Sequence, residues 1–257
     1  MIKKKILFVG CSFTENSGFE DKNIGKYHWP WLISQHYDCY YQNAGIGGSS
    51  NDEIFYRTMD LTANQSYDLV VIMWSALGRK WIYFSEPNID DFTIIDPNPL
   101  GLNCKSDAVK NLHKLYVTYF NNKYVSLNHW LDQIICLQHY FKHKKQSYIF
   151  IKGFSNLISD FDNVKYSSEH GFLDISESLK KILDFDNNPD YRILNKIQKI
   201  KNLIQQIDLD NCIDFKNFDF IGSMTDLADD KEHPGIKTNQ SMSSKLIKHI
   251  ETHRLLD

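Results

Sequence analysis

The chain has 257 residues, of which 42% are hydrophobic and 24% charged, and these proportions are typical of a globular protein. Its length allows one large domain, or a domain with an insertion, to bury a sizeable core. The formal net charge of −3 excludes the basic surface that binds nucleic acid or anionic membranes. We therefore expect partners that are neither nucleic acids nor membranes.

The cysteines do not form a disulfide or metal-binding pattern. Their number is odd and no Cys-x-x-Cys pair is present; the five are Cys11, Cys39, Cys104, Cys136 and Cys212. We accordingly predict no metal, no cofactor and a reducing compartment. The apolar stretch near the N-terminus, Ile6 to Val9, is too short for the hydrophobic region of a signal peptide. These features favour a cytoplasmic protein.

In chain order, five segments have the apolar, β-branched composition of strands: residues 5–9, 39–42, 69–74, 148–151 and 212–215. Apolar residues at helical spacing predict helices that begin near Pro30 and cover about 52–63, 127–141, 193–207 and 239–254. Strands that alternate with helices imply a three-layer α/β/α sandwich with a mostly parallel sheet of about five strands. We predict a single domain, 1–257, with an insertion at about 79–125 that could form a lid.

The most informative segment, Gly10-Cys11-Ser12-Phe13-Thr14, directly follows the first predicted strand. A serine on this turn lies at the carboxyl end of a strand, where open α/β sheets bind ligands. Near the other terminus, Asp230 and His233 are three residues apart, so the carboxylate can orient one imidazole nitrogen while the other faces outward. Nucleophilic acyl transfer needs these three roles, with Ser12 as nucleophile, His233 as base and Asp230 as the group that orients the base.

A glycine-rich loop, Asn43-Ala44-Gly45-Ile46-Gly47-Gly48, follows the second predicted strand. Glycine lets the backbone approach a ligand closely, so the N–H groups of this loop can donate to an oxyanion. The backbone N–H groups from Gly45 to Gly48 are therefore candidate donors for an oxyanion hole. The loop has neither the Gly-Lys-Ser/Thr ending of a P-loop nor the spacing of a dinucleotide fingerprint.

Each residue of the predicted triad also has a purely structural interpretation. Ser12 could cap the first helix, and His233 could be a histidine of a surface loop. Asp226 and Asp229 are rivals of Asp230, although only Asp230 has the i, i+3 spacing to His233.

Four further positions have two interpretations. Arg79 could bind an anionic group of the substrate, although a structural or solvated arginine is the more common outcome. Trp29 and Trp31 could stack on a sugar, but we expect them in the core. Cys11 could replace Ser12 as nucleophile, but its side chain would point away from the direction of Ser12.

These motifs resemble those of the SGNH (GDSL-type) hydrolase family. Three blocks match the family's Gly-Asp-Ser, glycine and C-terminal Asp-x-x-His blocks: Gly10-Cys11-Ser12, Asn43–Gly48 and Asp230-Lys231-Glu232-His233-Pro234. They stand in the family's order and span nearly the whole chain. The resemblance implies a flavodoxin-like fold, with Ser12 as nucleophile and Gly48 at the position of the oxyanion-hole glycine.

The chain departs from this family at two positions. Cys11 replaces the aspartate of the first block, a residue that is not the nucleophile. The asparagine of the third block, whose amide donates to the oxyanion in the family, falls on or near Leu77. Either Asn51 or Ser75 replaces that donor, or the oxyanion hole that the resemblance implies consists of the backbone N–H groups of Ser12 and Gly48. The subset of the family that begins Gly-Cys-Ser-Phe-Thr often carries Trp-Ser and a nearby arginine here, so we interpret the change as a variation.

The resemblance implies a serine esterase that hydrolyses a small acyl ester, such as an O-acetyl group on a carbohydrate, through an acyl-enzyme intermediate. One alternative is an O-acyltransferase that uses the same triad, a reaction that a lid would favour by excluding water. The other is a non-catalytic ligand-binding protein on the same fold, which the missing third-block asparagine allows. The sequence does not indicate an oligomeric state.

Overall fold

The structure is a computed structural model, and it describes residues 3–15, 17–19, 26–86, 89–95, 107–120, 122–153, 165–167, 172–174, 191–213 and 220–256. In chain order the strands are β1 (Lys5–Gly10), β2 (Tyr40–Gly45), β3 (Leu69–Trp74), β4 (Lys80–Glu86), β5 (Ile89–Ile95), β6 (Tyr148–Lys152), β7 (Lys165–Ser167) and β8 (Phe172–Asp174). The α-helices are α1 (Ser12–Glu15), α2 (Trp29–His36), α3 (Asn51–Asn64), α4 (Asp107–Leu115), α5 (Lys123–Lys144), α6 (Tyr191–Ile204) and α7 (Ile236–His253). The described residues also include a π-helix at Tyr116–Phe120 and 3₁₀ turns at Leu209–Asn211 and Ile221–Ser223.

The chain divides into two compact units. The first consists of Met1–Ala76, Leu137–Ser155 and Asp208–Asp257, and the second of Leu77–Cys136 and Asn156–Ile207. The boundary between them falls inside α5. The insertion predicted at about 79–125 lies within the second unit, and its role as a lid stays a prediction.

The first unit is built on a parallel sheet of four strands in the order β2-β1-β3-β6. Beside β6, a parallel bridge joins Phe150 to Cys212, and the Ile213 N–H donates to the Phe150 carbonyl at 3.1 Å. This bridge occupies the position of the predicted fifth strand, whose last residues, 214–215, lie outside the described ones. The predicted α/β class with a mostly parallel sheet is confirmed.

Burial on both faces explains the continuous apolar sequences of the central strands. Residues 6–9 of β1 and all of β3 are buried. One face of the sheet shares a hydrophobic cluster with α2 and α7, through Trp29, Ile33, Met242, Leu246 and Ile250. The opposite face packs against α3 and the end of α5, where the Phe141 ring stacks on Tyr148 with centroids 5.2 Å apart. The three predicted layers are therefore present in this unit.

The strand order defines where a ligand can bind. β1 pairs with β2 on one side and with β3 on the other, so the order of the strands reverses at the carboxyl end of β1. Open α/β sheets bind ligands in the crevice at such a switch point. In the register of β1 and β2, Gly10 lies beside Gly45. The turn that carries Ser12 and the loop that carries Gly48 consequently leave the same end of the sheet.

The sequence does not predict the antiparallel β4–β5 hairpin of the second unit, in which Lys80 pairs with Ile95 and Glu86 with Ile89. The second strand of the hairpin contains Asp90 and Asp91, and aspartate is depleted in strands, so the strand signal is weak. None of the helices in the described ranges combines the length and the apolar character that crossing a membrane requires.

Candidate active site

The predicted nucleophile lies on a tight turn at the end of β1. Ser12 is the first residue of α1 and is partly exposed. The N–H groups of Thr14 and Glu15 both donate to the Cys11 carbonyl, at 2.8 and 3.0 Å. Backbone hydrogen bonds within the turn therefore stabilise its conformation. Among the described residues, no group forms a hydrogen bond with the Ser12 hydroxyl.

Close backbone packing fixes this turn against the start of the glycine loop. A Cβ placed on Gly45 would lie 2.4 Å from the Glu15 nitrogen, so no larger residue fits there without moving α1. The Asn43 side chain adds two bonds: its amide N–H donates to the Thr14 carbonyl at 2.6 Å, and its oxygen accepts from the Gly45 N–H at 3.0 Å. Gly45 is thus required for close approach rather than for an unusual backbone angle.

The predicted base and its partner form a hydrogen-bonded pair on one short loop. Asp230 Oδ2 lies 2.5 Å from His233 Nδ1. Asp230 Oδ1 accepts from the backbone N–H groups of Glu232 and His233, each at 3.0 Å. Lys231 adopts a left-handed φ of +61°, which folds the loop back on the carboxylate. Because a carboxylate only accepts, Nδ1 carries the proton and Nε2 is left as the basic nitrogen.

These hydrogen bonds lower the pKa of the Asp230 carboxyl below its ordinary value. Burial alone would raise this pKa, but donation from the backbone of His233 and Glu232 and from the His233 ring outweighs that effect. Asp230 therefore stays ionised at neutral pH, as a group that orients and stabilises a protonated imidazole must.

The segment that follows Ser12 contacts the Asp230–His233 loop directly. The Phe13 ring meets the His233 ring edge to face, with centroids 5.5 Å apart. The Gly18 carbonyl accepts from the Asp230 N–H at 3.4 Å, and a Cβ on Gly18 would lie 2.6 Å from the His233 Cβ. The structure thus brings together two segments that are more than 200 residues apart in sequence.

A buried polar network holds these two segments at a fixed separation. The Asn239 side chain is fully buried; its amide N–H groups donate to the carbonyls of Pro234 and Gly235, at 3.0 and 2.9 Å. Its oxygen accepts from the Trp29 N–H at 3.2 Å. The Trp29 indole N–H then donates to the Phe13 carbonyl at 2.8 Å. Asn239 and Trp29 therefore link the residue after His233 to the residue after Ser12.

His28 completes this network as a neutral side chain. Its Nε2 lies 3.2 Å from the Phe13 carbonyl, so Nε2 carries a proton and donates. Burial lowers the pKa of His28 from 6.5 to about 4, with the carbonyl bond opposing the shift. The charged imidazole would have to leave this site or disrupt it.

The loop with the predicted oxyanion glycine is ordered by backbone hydrogen bonds and open at its tip. The Ile46 N–H donates to the Gly10 carbonyl at 3.1 Å, and the Ser49 N–H donates to the Ile46 carbonyl at 3.2 Å. Gly48 is exposed and has a φ of +78°, a left-handed conformation that favours glycine. No described residue accepts a hydrogen bond from the Gly48 N–H.

The two candidate replacements for the missing third-block amide are bonded to each other. Asn51 Oδ1 accepts from the Ser75 N–H at 2.7 Å, and Asn51 Nδ2 donates to the Ser75 carbonyl at 3.2 Å. This pair is buried and ties the start of α3 to the end of β3. A primary amide has two N–H groups, so one donor of Asn51 remains after this bond.

The rival carboxylate Asp226 has a structural role. It accepts from the backbone N–H groups of Lys237 and Thr238, at 2.9 and 2.7 Å, and from the Thr238 hydroxyl at 2.6 Å. It therefore caps α7 from outside the helix, which explains why α7 begins at Ile236 rather than near the predicted residue 239. The other rival, Asp229, is exposed.

The remaining predicted residues have different positions. Trp29 is fully buried, as expected of a core residue, and Trp31 is partly buried. Cys11 is also fully buried. Arg79 and Leu77 belong to the second unit, and a role of Arg79 in substrate binding stays a prediction.

The sequence interpretation missed Arg57 and Asn239. Arg57 donates to backbone carbonyls at the ends of β1 and β2 and to Ser49, next to Gly48. The only local signal was the i, i+4 spacing of Glu53 and Arg57 on a predicted helix. Within the described residues, no cluster of three or more metal-ligating side chains is present.

No protein-family model and no curated protein matches the sequence. Among solved structures, the chain is similar to TesA, with 12% identity, a TM-score of 0.49, and coverage of 97% of this chain and 99% of that one. It is also similar to Axe2, an acetylxylan esterase from Geobacillus stearothermophilus, with 13% identity, a TM-score of 0.46, and coverage of 97% and 94%. A third similar structure, assigned to the G-D-S-L lipolytic family, comes from Desulfitobacterium hafniense, with 12% identity, a TM-score of 0.45, and coverage of 96% and 99%.

The neutral state of His28 predicts a loss of stability in acid. Its folded pKa of about 4 lies below the ordinary 6.5, so its contribution is complete above pH 6.5 and is lost as the pH falls towards 4. Between pH 7 and pH 5 this amounts to about 2 kcal/mol in the free energy of unfolding. Urea unfolding at the two pH values measures it. In the matched variant His28→Gln, which has no titratable group at this position, the free energy of unfolding should fall by about 2 kcal/mol less between pH 7 and pH 5. An equal fall in both proteins would contradict a neutral, buried His28.

The capping role of Asp226 predicts an effect on stability. Asp226→Ala removes the acceptor of three hydrogen bonds at the start of α7, and we expect the free energy of unfolding in urea to fall by about 1–2 kcal/mol. Asp226→Asn keeps an acceptor oxygen in the same place and should retain at least half of that stabilisation. If the alanine variant were as stable as the wild type, the cap would not contribute.

Proposed function

We propose that the protein is a serine esterase of the SGNH (GDSL) type, which hydrolyses a small acyl ester through an acyl-enzyme intermediate. The observation that carries this proposal is the 2.5 Å hydrogen bond between Asp230 and His233, on a loop that contacts Phe13, the residue after Ser12. The exposed Gly48 N–H, on a loop at the same end of the sheet, supports it.

In the proposed acylation step, Ser12 Oγ attacks the ester carbonyl carbon while His233 Nε2 accepts the hydroxyl proton. The carbonyl oxygen becomes an oxyanion, to which the N–H groups of Ser12 and Gly48 donate. The protonated imidazole then gives its proton to the leaving alkoxide, and the C–O bond of the ester breaks. Asp230 stabilises the imidazolium throughout, because its own low pKa keeps it ionised.

In the proposed deacylation step, His233 Nε2 accepts a proton from water, and the hydroxide formed attacks the acyl-enzyme carbonyl. Collapse of the second oxyanion returns the proton to Ser12 Oγ and releases the carboxylic acid. One remaining N–H of Asn51 is a candidate third donor in place of the family's asparagine. No metal or cofactor takes part in either step.

The substrate class we favour is an O-acyl, and in particular an O-acetyl, ester of a carbohydrate. The sequence resemblance points to this class, and the polarity beside Ser12 supports it. The Glu15 carboxylate is exposed, accepts from the Ser17 hydroxyl at 2.9 Å, and lies 2.9 Å from where a Cβ on Gly47 would be. A carboxylate there can accept hydrogen bonds from sugar hydroxyls and disfavours anionic substrates.

The proposal predicts that ester turnover depends on Ser12. We expect wild-type protein to hydrolyse p-nitrophenyl acetate, and Ser12→Ala to lower kcat/KM by at least about 10³-fold, since only the oxyanion hole and binding remain. The neighbouring variant Cys11→Ala is the control and should keep kcat/KM within about threefold of the wild type. A wild type without activity, or a Ser12→Ala variant that retains it, would contradict the proposal.

Product analysis in the presence of a sugar acceptor separates the alternatives. Free acetate as the main product supports hydrolysis, whereas an acetylated sugar as the main product would identify the O-acyltransferase. Binding of acetylated sugars without turnover would identify the non-catalytic protein.

A further inference from the structure

One side chain, Arg57 of α3, donates hydrogen bonds to three segments around the candidate site. Its Nη1 lies 3.1 Å from the Ala44 carbonyl at the end of β2 and 3.5 Å from the Gly10 carbonyl at the end of β1. Its Nη2 lies 3.2 Å from the hydroxyl of Ser49, the residue after Gly48. A single guanidinium therefore joins the ends of both strands to the loop between β2 and α3.

The charge of Arg57 is balanced within its own helix. Its Nη2 also donates to the carboxylate of Glu53, one turn earlier, and the two side chains are only 14% and 17% exposed. The Glu53 backbone N–H is bonded in turn to the Ser50 cap. Because the charge is paired, the contribution of Arg57 is directional donation rather than a free positive charge. A planar guanidinium offers five donors in a rigid fork, and a lysine ammonium cannot reproduce that geometry.

The orientation of Gly48 depends on these neighbouring bonds. Among the described residues other than its two chain neighbours, none has an atom within 4 Å of the position that a Cβ would take at Gly48, so their side chains do not pack against that position. Among the described residues, three hydrogen bonds flank the left-handed backbone of Gly48: from Ile46 to Gly10, from Ser49 to Ile46, and from Arg57 to Ser49. The loss of Arg57 would remove the side-chain bond among these, together with the two bonds from Arg57 to the strand ends from which the loop departs.

We propose that Arg57 is a positioning residue for the oxyanion hole, a role that rests on the proposed esterase function. It acts through the loop and does not contact the substrate. Donation by Gly48 matters most when negative charge has developed on the carbonyl oxygen, so a misaligned loop weakens binding of the transition state more than binding of the ester. The kinetic signature is a lower kcat with a nearly unchanged KM.

Steady-state kinetics with p-nitrophenyl acetate test this signature. Arg57→Lys is expected to lower kcat by about 30- to 100-fold and to change KM by less than about twofold. The matched control Glu53→Gln keeps an acceptor for Nη2 and should retain kcat within about threefold. The proposal is overturned if Arg57→Lys keeps its kcat, if it changes KM by as large a factor as kcat, or if Glu53→Gln loses as much as Arg57→Lys.

A second measurement does not depend on catalysis. In ¹⁵N relaxation experiments, the Gly48 amide of Arg57→Lys should show a lower order parameter than in the wild type, while the Phe8 amide in β1 stays unchanged. Equal Gly48 values would overturn the proposal, and a simultaneous drop at Phe8 would assign Arg57 to the stability of the whole fold instead. If wild-type protein has no Ser12-dependent activity, the esterase proposal fails, but this measurement still decides whether Arg57 orders the loop.

Discussion

The buried amide of Asn239 is the constraint on which the geometry of the candidate site depends. Its Nδ2 donates to the carbonyls of Pro234 and Gly235, which follow His233, and its Oδ1 accepts from the Trp29 backbone N–H at the start of α2. The indole N–H of the same tryptophan donates to the Phe13 carbonyl. Every one of these groups is buried, so an unmade bond would leave a polar group without a partner at a cost of about 1–3 kcal/mol. The network therefore favours one separation between the turn that carries Ser12 and the loop that carries Asp230 and His233.

This constraint explains how residues from opposite ends of the chain can act as one unit. Asp230 and His233 are preorganised by their own loop, through the left-handed Lys231 and the bonds from the loop backbone. Preorganisation matters because donors and charges that are already aimed need no rearrangement during the reaction. The same principle applies to the glycine loop. Arg57 bonds this loop to the strand ends, as Asn239 bonds the loop of Asp230 and His233 to α2.

The sequence predicts best those features that depend on residues close together in the chain. β3 is buried on both faces, so its six residues form a continuous apolar run, and the spacing of Asp230 and His233 alone predicts their pairing. The role of Asp226 was harder to foresee, because its partners are the backbone N–H groups of a helix that begins ten residues later. Arg57 and Asn239 bind mainly backbone carbonyls, which only the tertiary structure brings within reach, so no residue pattern marks them. The β4–β5 hairpin was missed because the two aspartates in β5 weaken its strand signal.

Labelling with a fluorophosphonate, followed by mapping of the modified peptide, determines whether Ser12 is a nucleophile activated by the Asp230–His233 pair. Such reagents react with a serine hydroxyl only when a base removes its proton. We expect a single adduct on Ser12 in the wild type, much slower labelling in Asp230→Asn, and none in His233→Ala. Equal labelling of wild type and His233→Ala, or an adduct on a residue other than Ser12, would contradict it.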